Sequence, residues 1–178
     1  MPTRRRTKYY IGIDIGDKGA ISVLTENSTK VYESHAMPSI GGVIDIHRLV
    51  ELLKFYRGQD CHVVFEDLHA IFGSSAKSNH SFGRNDGIVR GVVAGLNLPY
   101  TPVEPKVWQK ELFVGVKKLQ KKSTSGKTMV NDTKKMALIV CKRLFPTANL
   151  LATKRSSVPH NGIVDAILLA EYSKRKFK

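Results

Sequence analysis

Three places in the chain put carboxylates or metal-capable groups where elements should end: Asp14, the pair Glu66-Asp67, and the run from His160 to Asp165. Asp14 lies in Tyr9-Tyr10-Ile11-Gly12-Ile13-Asp14-Ile15-Gly16, where Ile11, Ile13 and Ile15 alternate with Gly12, Asp14 and Gly16. Alternation at period two predicts a strand with one branched apolar face and one face bearing a single carboxylate between glycines. A carboxylate in a central strand is costly to bury unless a cation or hydrogen bonds compensate it. The glycines leave room for a metal, a phosphate or another backbone. Asp14 therefore reads as a metal ligand, or equally as a strand-end Asp capping the turn into Asp17-Lys18-Gly19. Asn161 and Asp165 are four apart and share a helix face. His160 and Asn161 fall in that helix's first turn, where outward N–H groups favour anions. If the helix packs with its first turn beside the first strand, Asp14, Glu66 and Asp165 converge. Such a cluster stays ionised only beside cations, and oxygen ligands suit Mg²⁺ or Mn²⁺. Two such ions about 4 Å apart activate a water and stabilise the leaving oxygen of a phosphodiester.

The composition points to the same chemistry. Lys and Arg number 29 against 15 Asp and Glu, a net charge of +14 in 178 residues. That imbalance predicts a polyanionic partner, most simply nucleic acid. It is the agreement of charge and carboxylates that favours a catalytic cluster over scattered structural acids. There is no basic amphipathic helix with a bulky apolar face and no run long enough to span a bilayer, so no membrane partner is expected. Cys61 and Cys141 have no motif spacing and suggest a reducing compartment. The chain is expected to be intracellular, working in the cytoplasm, a virus-encoded enzyme acting in its host's cytoplasm included. Its length fits one domain, here residues 9–178, after a flexible basic arm (1–8) carrying Arg4-Arg5-Arg6.

Around the carboxylates, the pattern predicts strands over 9–15, 20–24 and 30–36, then a helix over 43–56 after Gly41-Gly42. An apolar, β-branched strand over 61–65 ends at Glu66-Asp67 and returns beside the first. Residues 68–79 read as a loop containing Phe72 and Lys77. The helix over 81–96 carries Gly83, Gly87, Gly91 and Gly95 on one stripe. Three interior glycines cost roughly 2–3 kcal/mol relative to Ala, so something needs the space: the protein's own sheet for some, a second copy's helix for others. Arg84 and Arg90 on that helix are candidates for phosphate contact. A strand over 100–103 leads to Glu104-Pro105-Lys106, and Trp108, the single tryptophan, reads as core. Residues 117–128 form a lysine-rich segment with little to bury, expected to be a mobile loop that orders on phosphate. Gly126-Lys127-Thr128 resembles the end of a phosphate-binding loop, but the motif's first glycine falls on Lys121 and the match fails. Asn131 or Asp132 caps a helix to Leu144, and a last helix runs from Pro159 or His160 to Lys174.

Taken together, these segments resemble the RuvC-type Holliday junction resolvases, in their phage-like branch, within the RNase H-like superfamily. Ile11 to Gly16 resembles the first acidic strand, Val63-Val64-Phe65-Glu66 the second, Ser81 to Gly91 the helix after it, and Pro159 to Ala166 the final acidic helix. The resemblance spans about 9–172. It implies an α/β, RNase H-like fold: a mixed five-stranded sheet flanked by helices. It also implies a homodimer, two Mg²⁺ or Mn²⁺ ions per active site, no small-molecule cofactor, and paired nicks across a four-way DNA junction. It gives Asp14, Glu66, Asn161 and Asp165 metal-binding places, with His160 beside them. Phe72 and its neighbours would enter the junction. Lys77, Arg84, Lys106, Lys117, Lys118, Lys121, Lys122 and Lys127 are the expected DNA contacts.

One departure stands out. Relatives of the phage-like type usually carry an acid where this chain has Asn161, which offers a carbonyl oxygen but no charge. Weaker metal binding and slow cleavage with intact junction binding are expected. The change reads best as a substitution that traps an uncleaved complex, ahead of a natural change assisted by His160 or a degenerate enzyme. Three other functions compete. A junction-binding protein without catalysis keeps the charge and the dimer helix but not the metals. An actin-like ATPase opens with a similar Asp-Ile-Gly but needs a second domain and phosphate loop, for which the chain is too short. Another RNase H-like nuclease, acting on hybrids or linear DNA, has less use for the symmetric dimer a four-way substrate favours.

Overall fold

The computed structural model describes residues 7–67, 75–123 and 125–178. Its centre is a five-stranded sheet of order β3-β2-β1-β6-β7. β1 (Tyr9–Asp14) pairs antiparallel with β2 (Ala20–Thr25), which pairs antiparallel with β3 (Glu33–Ala36). A short ribbon, β4 (Ser39–Ile40) and β5 (Val43–Ile44), leads into α1 (Ile46–Leu53). β6 (Cys61–Glu66) lies parallel to β1, with Ile13 opposite Phe65, and β7 (Tyr100–Val103) lies parallel to β6. Between them runs α2 (Ala76–Gly95); α3 (Pro105–Leu112), a ribbon of β8 (Gln120–Lys122) and β9 (Met129–Asn131), α4 (Thr133–Leu144) and α5 (Asn161–Lys176) complete the chain. The mixed five-stranded sheet between helices is the expected α/β architecture. Among the described residues no helix is long and apolar enough to cross a membrane.

The period-two pattern sorts β1 between two cores. Ile11, Ile13 and Ile15 join Val63, Phe65, Leu49 and Val89 on the face covered by α1 and α2. Tyr10 joins Val64 and the apolar side chains of α5, α4 and α3 on the other. By alternation Gly12 and Asp14 share the α5 face, as does Glu66 two residues beyond Val64. Gly12 lets α5 come close: a Cβ there would stand 2.0 Å from the Ala166 carbonyl oxygen and 2.4 Å from the Ala170 nitrogen. Gly162 does the same at the helix start, where a Cβ would fall 2.6 Å from the Lys18 carbonyl oxygen. These contacts are to backbone, so no side chain can yield. Gly12→Ala is expected to destabilise the fold by about 3 kcal/mol or more, read as a lower urea midpoint. A midpoint within error of the parent's would contradict this packing.

Several boundaries differ from the sequence reading. The third strand begins at Glu33 rather than Lys30, and residues 43–44 are strand, with Asp45 capping α1 by accepting the Arg48 N–H at 3.1 Å. α2 begins at Ala76, because Ser75 caps it by accepting the Ser78 N–H at 3.1 Å. α3 was not expected; Pro105 starts it at a position where a missing N–H costs nothing. Part of the lysine-rich 117–128 segment is the β8–β9 ribbon rather than irregular loop. In the first turn Gly16 takes positive φ (+151°), and the hydrogen of Gly19 makes room for the Asp14 carbonyl. The glycine stripe of α2 does not pack on the sheet, since a Cβ at Gly83, Gly87, Gly91 or Gly95 would meet nothing within 4 Å. Gly87, Gly91 and Gly95 instead line an open apolar groove of about 440 Å³ with Ile46, Val50, Ile88, Val92 and Leu96.

Candidate active site

Asp14 ends β1, Glu66 ends the parallel neighbour β6, and Asp165 stands one turn into α5. Parallel strands finish at the same sheet edge, and the close seat of α5 on Gly12 brings Asp165 over that edge. Asp14 and Asp165 line a cleft of about 540 Å³ with Gly16, Lys18, Lys134, His160 and Asn161. All three carboxylates are half-buried, and all three are held above the usual carboxylate range. For Asp14, burial is the main cause, followed by the charges of Asp165 and Glu66. Burial and then Glu66 push Asp165 up to about 7. Burial also raises Glu66, against a hydrogen bond from Trp108 that lowers it. The charges of Asp165 and Glu66 act on Asp14, and that of Glu66 on Asp165, so the three carboxylates lie within electrostatic reach of one another at this sheet edge. Among the described residues, however, no group of three or more His, Cys, Asp or Glu stands ready to hold a metal ion. The two observations agree physically, because Coulomb coupling reaches further than the 2.0–2.6 Å of a metal–oxygen bond. Mg²⁺ in particular is commonly held by one or two carboxylates plus substrate phosphates and waters. The donor set and the open cleft fit such an ion.

Asn161 is exposed on the rim of the cleft, four residues before Asp165. His160 caps α5, its Nδ1 accepting the Ile163 N–H at 3.3 Å. A neutral ring that accepts at Nδ1 carries its proton on Nε2. His160 in this setting offers a hydrogen-bond donor to the cleft rather than a metal-binding lone pair. Asp67 is withdrawn from the site: Arg90 donates to its Oδ1 at 2.8 Å and to Asp86 Oδ2 at 2.8 Å. Arg90 is thereby occupied too and is not free for phosphate. Of the expected DNA contacts, Lys77, Arg84, Lys106, Lys117, Lys118, Lys122 and Lys127 are exposed. Lys121 pairs with Asp132 at 3.6 Å. Phe72 lies outside the described residues. Neither thiol serves the site, since burial pushes Cys61 up to about 11 and Cys141 up to about 12.

Two residues of the site were not singled out for it. Lys134, on the first turn of α4, lines the cleft, and its charge pulls both Asp14 and Asp165 downward. Trp108 is core as expected, yet its indole N–H donates to Glu66 Oε1 at 2.9 Å. No local signal separates Lys134 from Lys135 beside it; only the packing of α4 on α5 does.

No protein-family model matches the sequence, and no curated protein matches it. Solved structures do. A Thermus thermophilus RuvC in complex with a Holliday junction substrate superposes with a TM-score of 0.54 at 12% identity, over 91% of this chain and 90% of that one. A second Thermus thermophilus RuvC structure gives a TM-score of 0.53 at 15% identity over 91% and 90% of the two chains. The fold is that of RuvC, and so α/β and RNase H-like, as the resemblance implied.

Proposed function

We propose that the chain is a divalent-metal-dependent endonuclease of four-way DNA junctions, and that Asp14, Glu66 and Asp165 hold Mg²⁺ or Mn²⁺. The observation that carries this reading is that Asp14 and Asp165 share one open cleft of a strongly basic chain, with Glu66 close enough to raise the pKa of both. That the neighbouring RuvC structure holds a Holliday junction supports the choice of substrate. When bound, the metal supplies an activated water and charge for the leaving oxygen. The protein's own groups do the rest. Lys134 offsets carboxylate charge and, with the exposed lysines, draws phosphate toward the cleft. His160 Nε2–H is placed to donate to a phosphate oxygen or water. Asn161 contributes a carbonyl oxygen without charge. We propose that this work is done inside the cell, in the cytoplasm.

Asp14→Asn is expected to lower single-turnover junction cleavage by about 10³-fold or more, since a metal ligand is lost. Junction affinity in a gel shift changes only a few-fold, because the basic surface is untouched. The alternative of a junction-binding protein without catalysis is favoured by Asn161. It would show as tight binding without cleavage by either protein.

We also infer a homodimer through the glycine-lined groove of α2, whose open stripe costs helix stability and has no use within one copy. Gly91→Leu fits the single chain, where nothing lies within 4 Å of the new Cβ, and replaces a poor helix former. Light scattering should show the mass halved while the melting temperature of the folded chain is kept. An unchanged mass would place the dimer contact elsewhere.

A further inference from the structure

Trp108 is 1% exposed and sits among side chains of α3, α4 and α5, meeting Phe113 edge-on at 5.7 Å between ring centres. Packing alone does not call for an indole there. A buried indole N–H is a donor that must find an acceptor or lose its hydration uncompensated, and Phe or Leu would fill the space without that demand. The acceptor it finds is Glu66 Oε1, at 2.9 Å, at the end of the strand beside Asp14. A carboxylate at a sheet edge otherwise rotates freely about its last bonds. Tied to a donor that cannot itself move, it keeps one orientation, with Oε1 engaged and Oε2 left over.

We propose that Trp108 is a positioning residue for Glu66: its indole N–H fixes the carboxylate so that Oε2 is the oxygen offered to a divalent cation. This rests on the metal-binding reading of the cleft. Hydrogen-bond partners behind a metal ligand commonly set affinity by 10–100-fold. Trp108 is also the chain's single tryptophan, so one indole N–H resonance reports on Glu66 without ambiguity.

The test uses the full chain. Mn²⁺ binding is measured by calorimetry on the parent and on Trp108→Phe, which removes the N–H and keeps an aromatic core residue. In parallel the indole ¹H–¹⁵N resonance is followed in the parent and in Glu66→Gln, with and without Mg²⁺. Mn²⁺ affinity is expected to fall about 10–100-fold in Trp108→Phe. The parent resonance should shift saturably with Mg²⁺. Glu66→Gln should move it without metal and remove the Mg²⁺ response. If the parent binds Mn²⁺ and Trp108→Phe binds it equally well, the positioning role is overturned while the metal reading stands. An indole resonance indifferent to both Glu66→Gln and Mg²⁺, in a parent that binds Mn²⁺, overturns it likewise. Should Trp108→Phe fail to fold, that resonance decides the matter on intact proteins. A parent that binds no Mn²⁺ at all removes the metal reading itself, and this inference with it.

Discussion

Asn161→Asp is expected to raise junction cleavage by roughly 100-fold and to lower the Mg²⁺ concentration at half-maximal rate. The physical case starts from position. Asn161 opens α5, exposed on the rim of the cleft, on the same helix face as Asp165. An acid in a first helical turn is favoured by the helix dipole by about 0.3–1 kcal/mol, and at the proposed metal site it would add a charged oxygen ligand where the parent offers a neutral one. Ligand changes at divalent sites alter affinity or rate by about 10–100-fold even when they lie behind the metal, so a direct one belongs at the upper end. In the absence of metal the same substitution adds a fourth negative charge and should destabilise the fold. Faster cleavage together with lower metal-free stability is the expected signature. Equal rates would mean that Asn161 is outside the metal shell.

The second large effect is on stability without metal. Asp14, Glu66 and Asp165 all have folded-state pKa values raised above their ordinary ones. A raised value means that the folded state holds the proton more tightly. That contribution is complete below about pH 4 and is lost as pH rises through the folded value. For Asp165, raised from 3.8 to about 7, the loss between pH 4 and 8 approaches roughly 4 kcal/mol, or about 8–16 °C in melting temperature for a chain of this size. Asp165→Asn removes this component, so the difference between parent and variant isolates it from the other carboxylates. In chelator the parent should fall behind the variant as pH rises, and saturating Mg²⁺ should restore it at pH 8. A parent-minus-variant difference that stays flat from pH 4 to 8 would contradict the burial of Asp165 beside Glu66.

Both effects depend on features of unequal legibility. β1 and β6 could be read from the chain because alternation and β-branching are local, and the two acids at their ends came with them. α5 could be read from the chain to within a residue of its start, although His160, expected in its first turn, proves to be its cap. The stripe on α2 was visible as a pattern, but its surroundings were not: only the packed structure shows that these glycines face open space. α3 was not expected because in the sequence Pro105 reads as a restraint on the backbone as easily as a helix's first residue. Lys134 sits in a lysine-rich stretch where each residue looks alike, and Trp108 carries an ordinary core signature. Their roles arise from contacts across 42 positions in the case of Trp108 and Glu66, which no short-range pattern encodes. The Asp67–Arg90 pair is of the same kind, and it decides which of two adjacent acids is free for the site.

The decisive measurement is cleavage of a labelled four-way junction, beside linear duplex and RNA–DNA hybrid, in Mg²⁺ or Mn²⁺. The chain as it stands and Asn161→Asp are compared. Symmetric paired nicks in the junction alone are expected, slow in the first protein and fast in the second, with tight junction binding by both. Binding without nicks by either protein, or preferential cutting of the hybrid or duplex, would contradict the proposed function.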